Sequence, residues 1–247
     1  MTIHVGTSGW QYADWRGPVY PTKLAQRLWL TAYAQRFDTV EVNATFYRLP
    51  QLPSVQRWIE SVPARFVMTV KASRYLTHVK RLAAPEEPVA RLLDRIAPLR
   101  DRGLLGPVLL QLPPRFSADA DLLARTLDQF PADVRVAVEP RDASWFTPAV
   151  RAVLIEHHAA LVWADRNGRA VTPLWETCDW RYLRLHHGRN GWGYDDRDLR
   201  RWARRLRDTD DGYIYANNDP GGAAVIDAER IRELITRGPH TFGDCGS

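Results

Sequence analysis

Cysteine is scarce in this chain of 247 residues: there are two, Cys178 and Cys245. They are far apart in sequence and fit neither a disulfide framework nor a paired-cysteine zinc site. No apolar run approaches the roughly 20 residues that a membrane-crossing helix needs, so no membrane partner is expected. The N-terminal MTIHVGTSGW lacks a basic stretch followed by an apolar one, so a secretory leader is not expected and a cytoplasmic location is. The seven histidines include no HxH or HxxxH pair. The first strand-to-helix turn has no GxGxxG fingerprint, which leaves an open dinucleotide-binding sheet as the second choice of fold. Linkers, repeats and low-complexity tracts are also missing. One domain is therefore expected over residues 1–238, with a flexible tail at 239–247.

What remains is an ordinary globular composition, 45% hydrophobic and 26% charged. The net charge of +5 mildly favours anionic partners. The densest basic run, RDLRRWARRLRD at 197–208, places Leu199, Trp202, Ala203 and Leu206 at helical spacing. Its arginines read better as a solvated helix face than as a nucleic-acid patch, because aromatics are not interleaved with them.

Eight strand-like runs alternate with helix-like ones. The strands are expected at 3–8, 39–43, 66–72, 107–112, 134–139, 160–164, 182–186 and 213–217. Helices are expected at 24–37, 52–62, 88–101, 121–130, 148–158 and 223–236. This alternation implies parallel pairing and an α/β fold. Eight strands in about 250 residues match a TIM-barrel-like (β/α)8 domain. The segment DRNGRAVTPLWETCDW has no helical period, so the helix between strands six and seven is expected to be irregular or missing.

Period-two parity then assigns faces. In VRVAVEPR, Val134, Val136 and Val138 form the apolar set that should meet the helices. Glu139 and Arg141 fall on the interior face, at the strand's C-terminal end. The same parity turns Glu41 and Asn43, Lys71, and Gln111 inward on strands two to four. Active sites of barrel enzymes lie at this end. The same residues could also close into an ion-pair network plugging the interior. After strand eight, NNDPGGAA contributes Asn217 and Asn218 and a glycine-rich turn opening a helix. With Lys71, Arg141 and Arg189 nearby, that turn reads as an anion site; alone, it reads as a simple Asp-Pro-Gly turn. Trp10, Tyr12, Trp15, Phe46, Tyr47, Trp145, Trp192 and Tyr194 cluster near the same strand ends, where rings could stack on a sugar or base.

The runs VGTSGWQYADWRGPVYP, VEVNATFYRLP, VKASRYLTH, LLQLPPRF, VEPRDASWF, RLHHGRNGW and YANNDPGGAA resemble, in order, the YecE-like family, domain-of-unknown-function family 72. The resemblance implies a TIM-barrel-like fold and no established activity; a likeness to endonuclease-IV-like barrels enters as analogy only. The motif positions carried over are Glu41, Asn43, Phe46, Tyr47, Lys71, His78, Gln111, Glu139, Arg141, Trp145, His186, Asn217 and Asn218. The chain departs from the pattern at His186-His187-Gly188, where one histidine is usual, and at Pro140, where an aromatic is.

Three functions follow as expectations. The first is an enzyme without a cofactor, acting on a small anionic, sugar-like substrate. Its catalytic set is Glu41, Glu139, Lys71, Arg141 and His186. Asn43, Tyr47, His78, Gln111, Trp145, Asn217 and Asn218 bind the substrate. In it Glu41 and Glu139 divide acid and base roles. The second is a divalent-metal phosphoesterase using Glu139, Asp165, His187 and Asp219. The third is a non-catalytic module for a nucleotide or a nucleic acid.

Overall fold

The computed structural model describes residues 2–189 and 191–236. The expected tail at 239–247 lies outside the described residues. Each of the eight strand-like runs forms a strand, the sixth in two pieces. They are β1 (Thr2–Thr7), β2 (Thr39–Val42), β3 (Val67–Lys71), β4 (Leu105–Gln111), β5 (Val136–Glu139), β6 (Ala160–Leu161), β7 (Trp163–Arg166), β9 (Trp180–Leu185) and β10 (Asp211–Ala216). One strand was not foreseen, β8 (Arg169–Ala170), which pairs antiparallel with β7.

The ladders build a mixed α/β fold of two five-stranded sheets, β1-β10-β9-β7-β8 and β2-β3-β4-β5-β6. Every pairing except β7–β8 is parallel. The single closed ring of eight strands expected from sequence is not what the hydrogen-bonded ladders form. They stop at two seams. At the first, β1 and β2 meet through one isolated bridge, Ser8 with Glu41, and through a side chain. The Tyr33 hydroxyl accepts from Thr7 N at 2.9 Å and donates to Thr39 O at 3.1 Å. Gly6 permits this approach, since a Cβ there would collide with Thr39 O and the Tyr33 hydroxyl. At the second seam, Val162 separates β6 from β7, and its N–H still reaches Val138 O at 2.9 Å.

Helices follow the apolar periodicity. They are α1 (Trp29–Tyr33), α2 (Ala44–Tyr47), α3 (Leu52–Glu60), α4 (Glu86–Asp101), α5 (Ala120–Leu127), α6 (Pro148–Glu156), α7 (Asp196–Arg205) and α8 (Ala223–Thr236). Starts are marked by residues suited to them. Asp119 accepts from Leu122 N at 2.8 Å ahead of α5, and Thr147 precedes Pro148 at α6. The helix expected over 24–37 shrinks to α1 and a preceding 3-10 turn. Between β7 and β9 no helix forms. There Thr172 and Thr177 replace a neighbouring strand. Thr172 Oγ1 accepts from Ala164 N at 2.9 Å and donates to Val162 O at 2.8 Å. Thr177 Oγ1 accepts from Leu161 N at 3.0 Å and donates to Ala159 O at 2.6 Å. These bonds satisfy backbone groups that a missing strand would leave open.

Strand parity divides the core in two. The larger cluster holds Val136, Val138, Val40, Val42, Val70 and Leu110 together with helix residues such as Leu92 and Leu154. A smaller, inner cluster holds Leu109, Ala137, Val162, Tyr182, Tyr213 and Tyr215. The opposite face of each strand therefore looks inward, as the alternation predicted. Among the described residues no helix is long and apolar enough to cross a membrane.

Candidate functional site: a cationic cleft over a buried arginine

Above the inner cluster the strand interiors turn polar. Arg184 of β9 lies at the centre, with its side chain 1% exposed. Its Nη2 donates to Glu41 Oε1 at 2.7 Å and its Nη1 donates to Glu139 Oε2 at 2.6 Å. Tyr182 donates its hydroxyl to Glu41 Oε2 at 2.6 Å, and Ser8 Oγ donates to Glu41 Oε1. Glu139 also accepts from Gln111 Nε2 at 2.7 Å. Each carboxylate thus has several donors, the condition for burying charge without a large penalty. Burial alone would raise the Glu139 pKa, but the charge of Arg184, helped by His186, holds it well below the usual carboxylate range. Burial likewise opposes the charge on Arg184, and Glu41 and Glu139 override it.

His186 is buried beside this network. Its Nε2 stands 2.9 Å from Glu139 Oε1 and its Nδ1 is 3.0 Å from Asn217 Nδ2. An amide nitrogen can only donate, so Nδ1 accepts and the proton sits on Nε2. Burial lowers the His186 pKa, with Glu139 opposing. His186 rather than His187 therefore faces inward; among the described residues His187 Nδ1 hydrogen-bonds its neighbour's carbonyl, Gly188 O, at 3.3 Å.

Over this floor opens a cleft of about 550 Å³ lined by Tyr12, Asn43, Phe46, Tyr47, Lys71, His78, Gln111, Arg141, Asn217 and Asp219, with residues 9–11 and Ala44. Lys71 Nζ lies 4.3 Å from the centre of the Phe46 ring, a cation–π contact. Among the described residues it forms no ion pair. Burial, reinforced by Arg184, lowers its pKa to about 8. Arg141 keeps only a loose approach to Glu139, Nε to Oε1 at 3.9 Å. Burial first and then the Lys71 charge lower the His78 pKa. Tyr47 is 80% exposed at the rim.

Of the twelve residues expected at a site, Asn43, Tyr47, Lys71, His78, Gln111, Arg141 and Asn217 line this cleft, and His186 and Glu139 touch its lining through Asn217 and Gln111. Glu41, Trp145 and Asn218 lie deeper, each 0% exposed. Glu41 and Glu139 are 0% and 1% exposed, and Arg184 donates to both. Trp145 is 0% exposed, and its indole donates to Phe116 O at 2.6 Å under the α6 entrance. Asn218 is buried too; its Nδ2 donates to Trp192 O at 2.7 Å and to Asp227 Oδ2 at 2.6 Å. The anion site expected at the glycine-rich turn is already taken by a carboxylate of the chain. Gly221 N–H donates to Asp14 Oδ2 at 2.8 Å. Arg189 turns away to Asp198, at 3.2 Å.

The alternative metal set does not assemble. Asp165 accepts from the Trp202 indole at 2.7 Å beneath α7. Among the described residues no group of three or more His, Cys, Asp or Glu side chains is placed to hold a metal ion. Sequence reasoning missed Arg184. Its signal was present: in RYLRLH, Tyr182, Arg184 and His186 share one face by the same parity that turned Glu139 inward.

Comparison with known proteins agrees with the motifs. The chain is 26% identical to the UPF0759 protein YunF of Bacillus subtilis over 94% of both chains. It is 30% identical to the UPF0759 protein YecE of Escherichia coli K12, over 58% of this chain and 50% of that protein. The crystal structure of a DUF72 family protein from Thermotoga maritima superimposes with a TM-score of 0.83 at 26% identity, covering 96% of this chain and all of that one. A DUF72 family protein from Enterococcus faecalis gives 0.81 at 19% identity, over 96% of this chain and 97% of that one. Residues 4–243 match the family described as Protein of unknown function DUF72, and the chain belongs to that family.

Proposed function

We propose that the cleft binds a small anionic, sugar-like molecule, phosphorylated or carboxylated, and that the protein is an enzyme acting on it. One observation carries the reading: Lys71 and Arg141 bring two cations with unspent donors to one cleft of about 550 Å³, a volume suited to a small molecule. Underneath, Glu41 and Glu139 are engaged by Arg184, and Asp219 is the carboxylate that lines the cleft itself. A half-buried amine with a pKa near 8 is still mostly charged at neutral pH and is little screened, which favours an anion over water. Gln111, Asn43 and Asn217 supply amides that can orient hydroxyls. In this reading Glu41 and Glu139 are positioning residues, acting through Arg184. The two sheets are taken as halves of one (β/α)8 barrel, supported by the Tyr33 bridge at one seam and the Val162–Val138 hydrogen bond at the other.

The test is a calorimetric titration of purified protein with sugar phosphates, sugar acids and their neutral parent sugars. Binding of the anionic members alone, lost in Lys71→Met and Arg141→Ala, is the expected result. Equal binding of neutral sugars, or full binding by both variants, overturns the proposal. A response confined to single-stranded DNA or RNA, falling steeply with salt, would favour the binding-module reading instead.

A further inference from the structure

The cleft has a second chemical character away from its cations. The residues contributed after β1, β2 and β10 are rich in acceptors. Asn43 donates its Nδ2 to Ser8 O at 3.1 Å, and its Oδ1 is buried without a partner among the described residues. Asp219 Oδ1 is likewise buried and unpartnered. The Tyr12 hydroxyl donates to Ser8 O and lies beside both Asp219 and Asn43. The Asp219 backbone is fixed from two sides, its carbonyl accepting from the Trp15 indole at 2.8 Å and from Gly222 N at 3.1 Å. Asn43 and Asp219 both line the cleft, and buried acceptor oxygens without a geometric partner among the described residues cost free energy unless a donor arrives.

We infer that Asp219, and not Glu41 or Glu139, is the acid–base residue of this cleft, and that Asp219 Oδ1 and Asn43 Oδ1 receive hydroxyl groups of the same ligand whose anion sits at Lys71 and Arg141. This rests on the anion-binding reading above and narrows it to a polyhydroxylated anion. The proton step is simple: the ligand O–H bond breaks, its proton bonds to Asp219 Oδ1, and the electron pair stays on the ligand oxygen. The reverse step returns it. A carboxyl suits this task only if it changes state near neutral pH. Glu139 cannot, being clamped as a carboxylate. Asp219 can, because burial raises its pKa to about 7. Glu41 and Asp14 push in the same direction, while the Tyr12 hydroxyl and Arg184 oppose. Lys71, Arg141 and His78 share the cleft.

Two measurements test this. Carbon-detected NMR of the ligand-free protein should show a carboxyl resonance, absent from D219N, with a midpoint near 7. A midpoint below about 5, in the ordinary carboxylate range, overturns the acid–base role. Calorimetry with ribose 5-phosphate and butyl phosphate as probes tests the ligand class. The hydroxylated probe should bind about 10-fold more tightly to the native chain, as one or two satisfied buried acceptors would give. In D219A that ratio should fall towards one while both probes still bind. An unchanged ratio overturns the hydroxyl assignment and leaves the anion site standing. If neither probe nor inorganic phosphate binds the native chain, the anion reading itself fails and the ligand class with it. D219N and D219A should melt no lower than the native chain, so loss of fold cannot be mistaken for either result.

Discussion

Arg184 and Glu139 form a buried pair, 2.6 Å apart, on strands that belong to different sheets. The second guanidinium nitrogen holds Glu41 in the same way. Removing the arginine strands two buried carboxylates. Arg184→Met should therefore cost about 3–5 kcal/mol, more than loss of an exposed pair ever does. For a chain of this size the melting temperature should fall by about 10 °C. Adding Glu41→Gln and Glu139→Gln to the same chain should restore part of the loss. An unchanged melting curve for Arg184→Met would show that the floor is held by other contacts.

Anion affinity should fall in mild alkali. Lys71 carries its charge below a pKa of about 8 and loses it above. Sulfate is the suitable probe, since its own charge is constant across that range. Its dissociation constant should rise between about pH 7 and pH 9 in the native chain. In Lys71→Met it should be weaker throughout, with the rise centred near 8 gone and only the smaller one from Asp219, centred near 7, left. A native profile without that rise would exclude Lys71 from the anion contact.

Stability should report Asp219 with the opposite sign from an ordinary carboxylate. Its folded pKa, about 7, lies above the unfolded value of 3.8. Its contribution is complete below the unfolded value and is lost as pH rises to about 7. Asp219→Asn should match the native chain near pH 4 and become progressively more stable up to about pH 7, with no further gain above. Urea titrations at a series of pH values would show this divergence. A constant difference between the two chains would contradict it.

Asp165 gives a contrasting prediction. It supports α7 through the Trp202 indole and does not line the cleft. Trp202→Phe should leave that carboxylate short of a donor and destabilise by about 1–3 kcal/mol. Sulfate binding, measured well below the melting temperature, should be unchanged. A loss of binding in this variant would tie α7 to the site.

Much of this was legible in the sequence because strand periodicity carries two kinds of information. The valines of β5 marked its helix-facing side, and Glu139 therefore had to look inward. The same rule applied to the strand expected at 182–186 turns Arg184 inward, opposite its apolar neighbours Leu183 and Leu185. Trp145 and Asn218 were misplaced for a different reason. Residue type and position at a strand end were right, but their fate was decided by distant partners, Phe116 for one, Trp192 and Asp227 for the other. The turn NNDPGGAA carried a phosphate-like pattern. Only the fold reveals that Asp14, 207 residues away, already fills it. Closure of the ring is a finer matter than the number of strands. Counting strands gives their number, and whether each adjacent pair completes a ladder depends on seams such as Gly6 against Thr39.

The Tyr215 hydroxyl lies 2.7 Å from Thr39 Oγ1 and 2.8 Å from Thr69 Oγ1, deep beneath the Arg184 network. These partners are 176 and 146 positions away along the chain, and Arg184 is 143 positions from Glu41. Nothing local can pre-form such a floor. During synthesis, a ribosome-bound chain that has not yet emerged past β10 would have all its other strands and all helices before α8 but no Tyr215 beneath the cleft. Long-range closures of this kind are slow steps in folding. The cleft and its floor should accordingly be among the last parts of the molecule to appear and the first to vanish when the two sheets part.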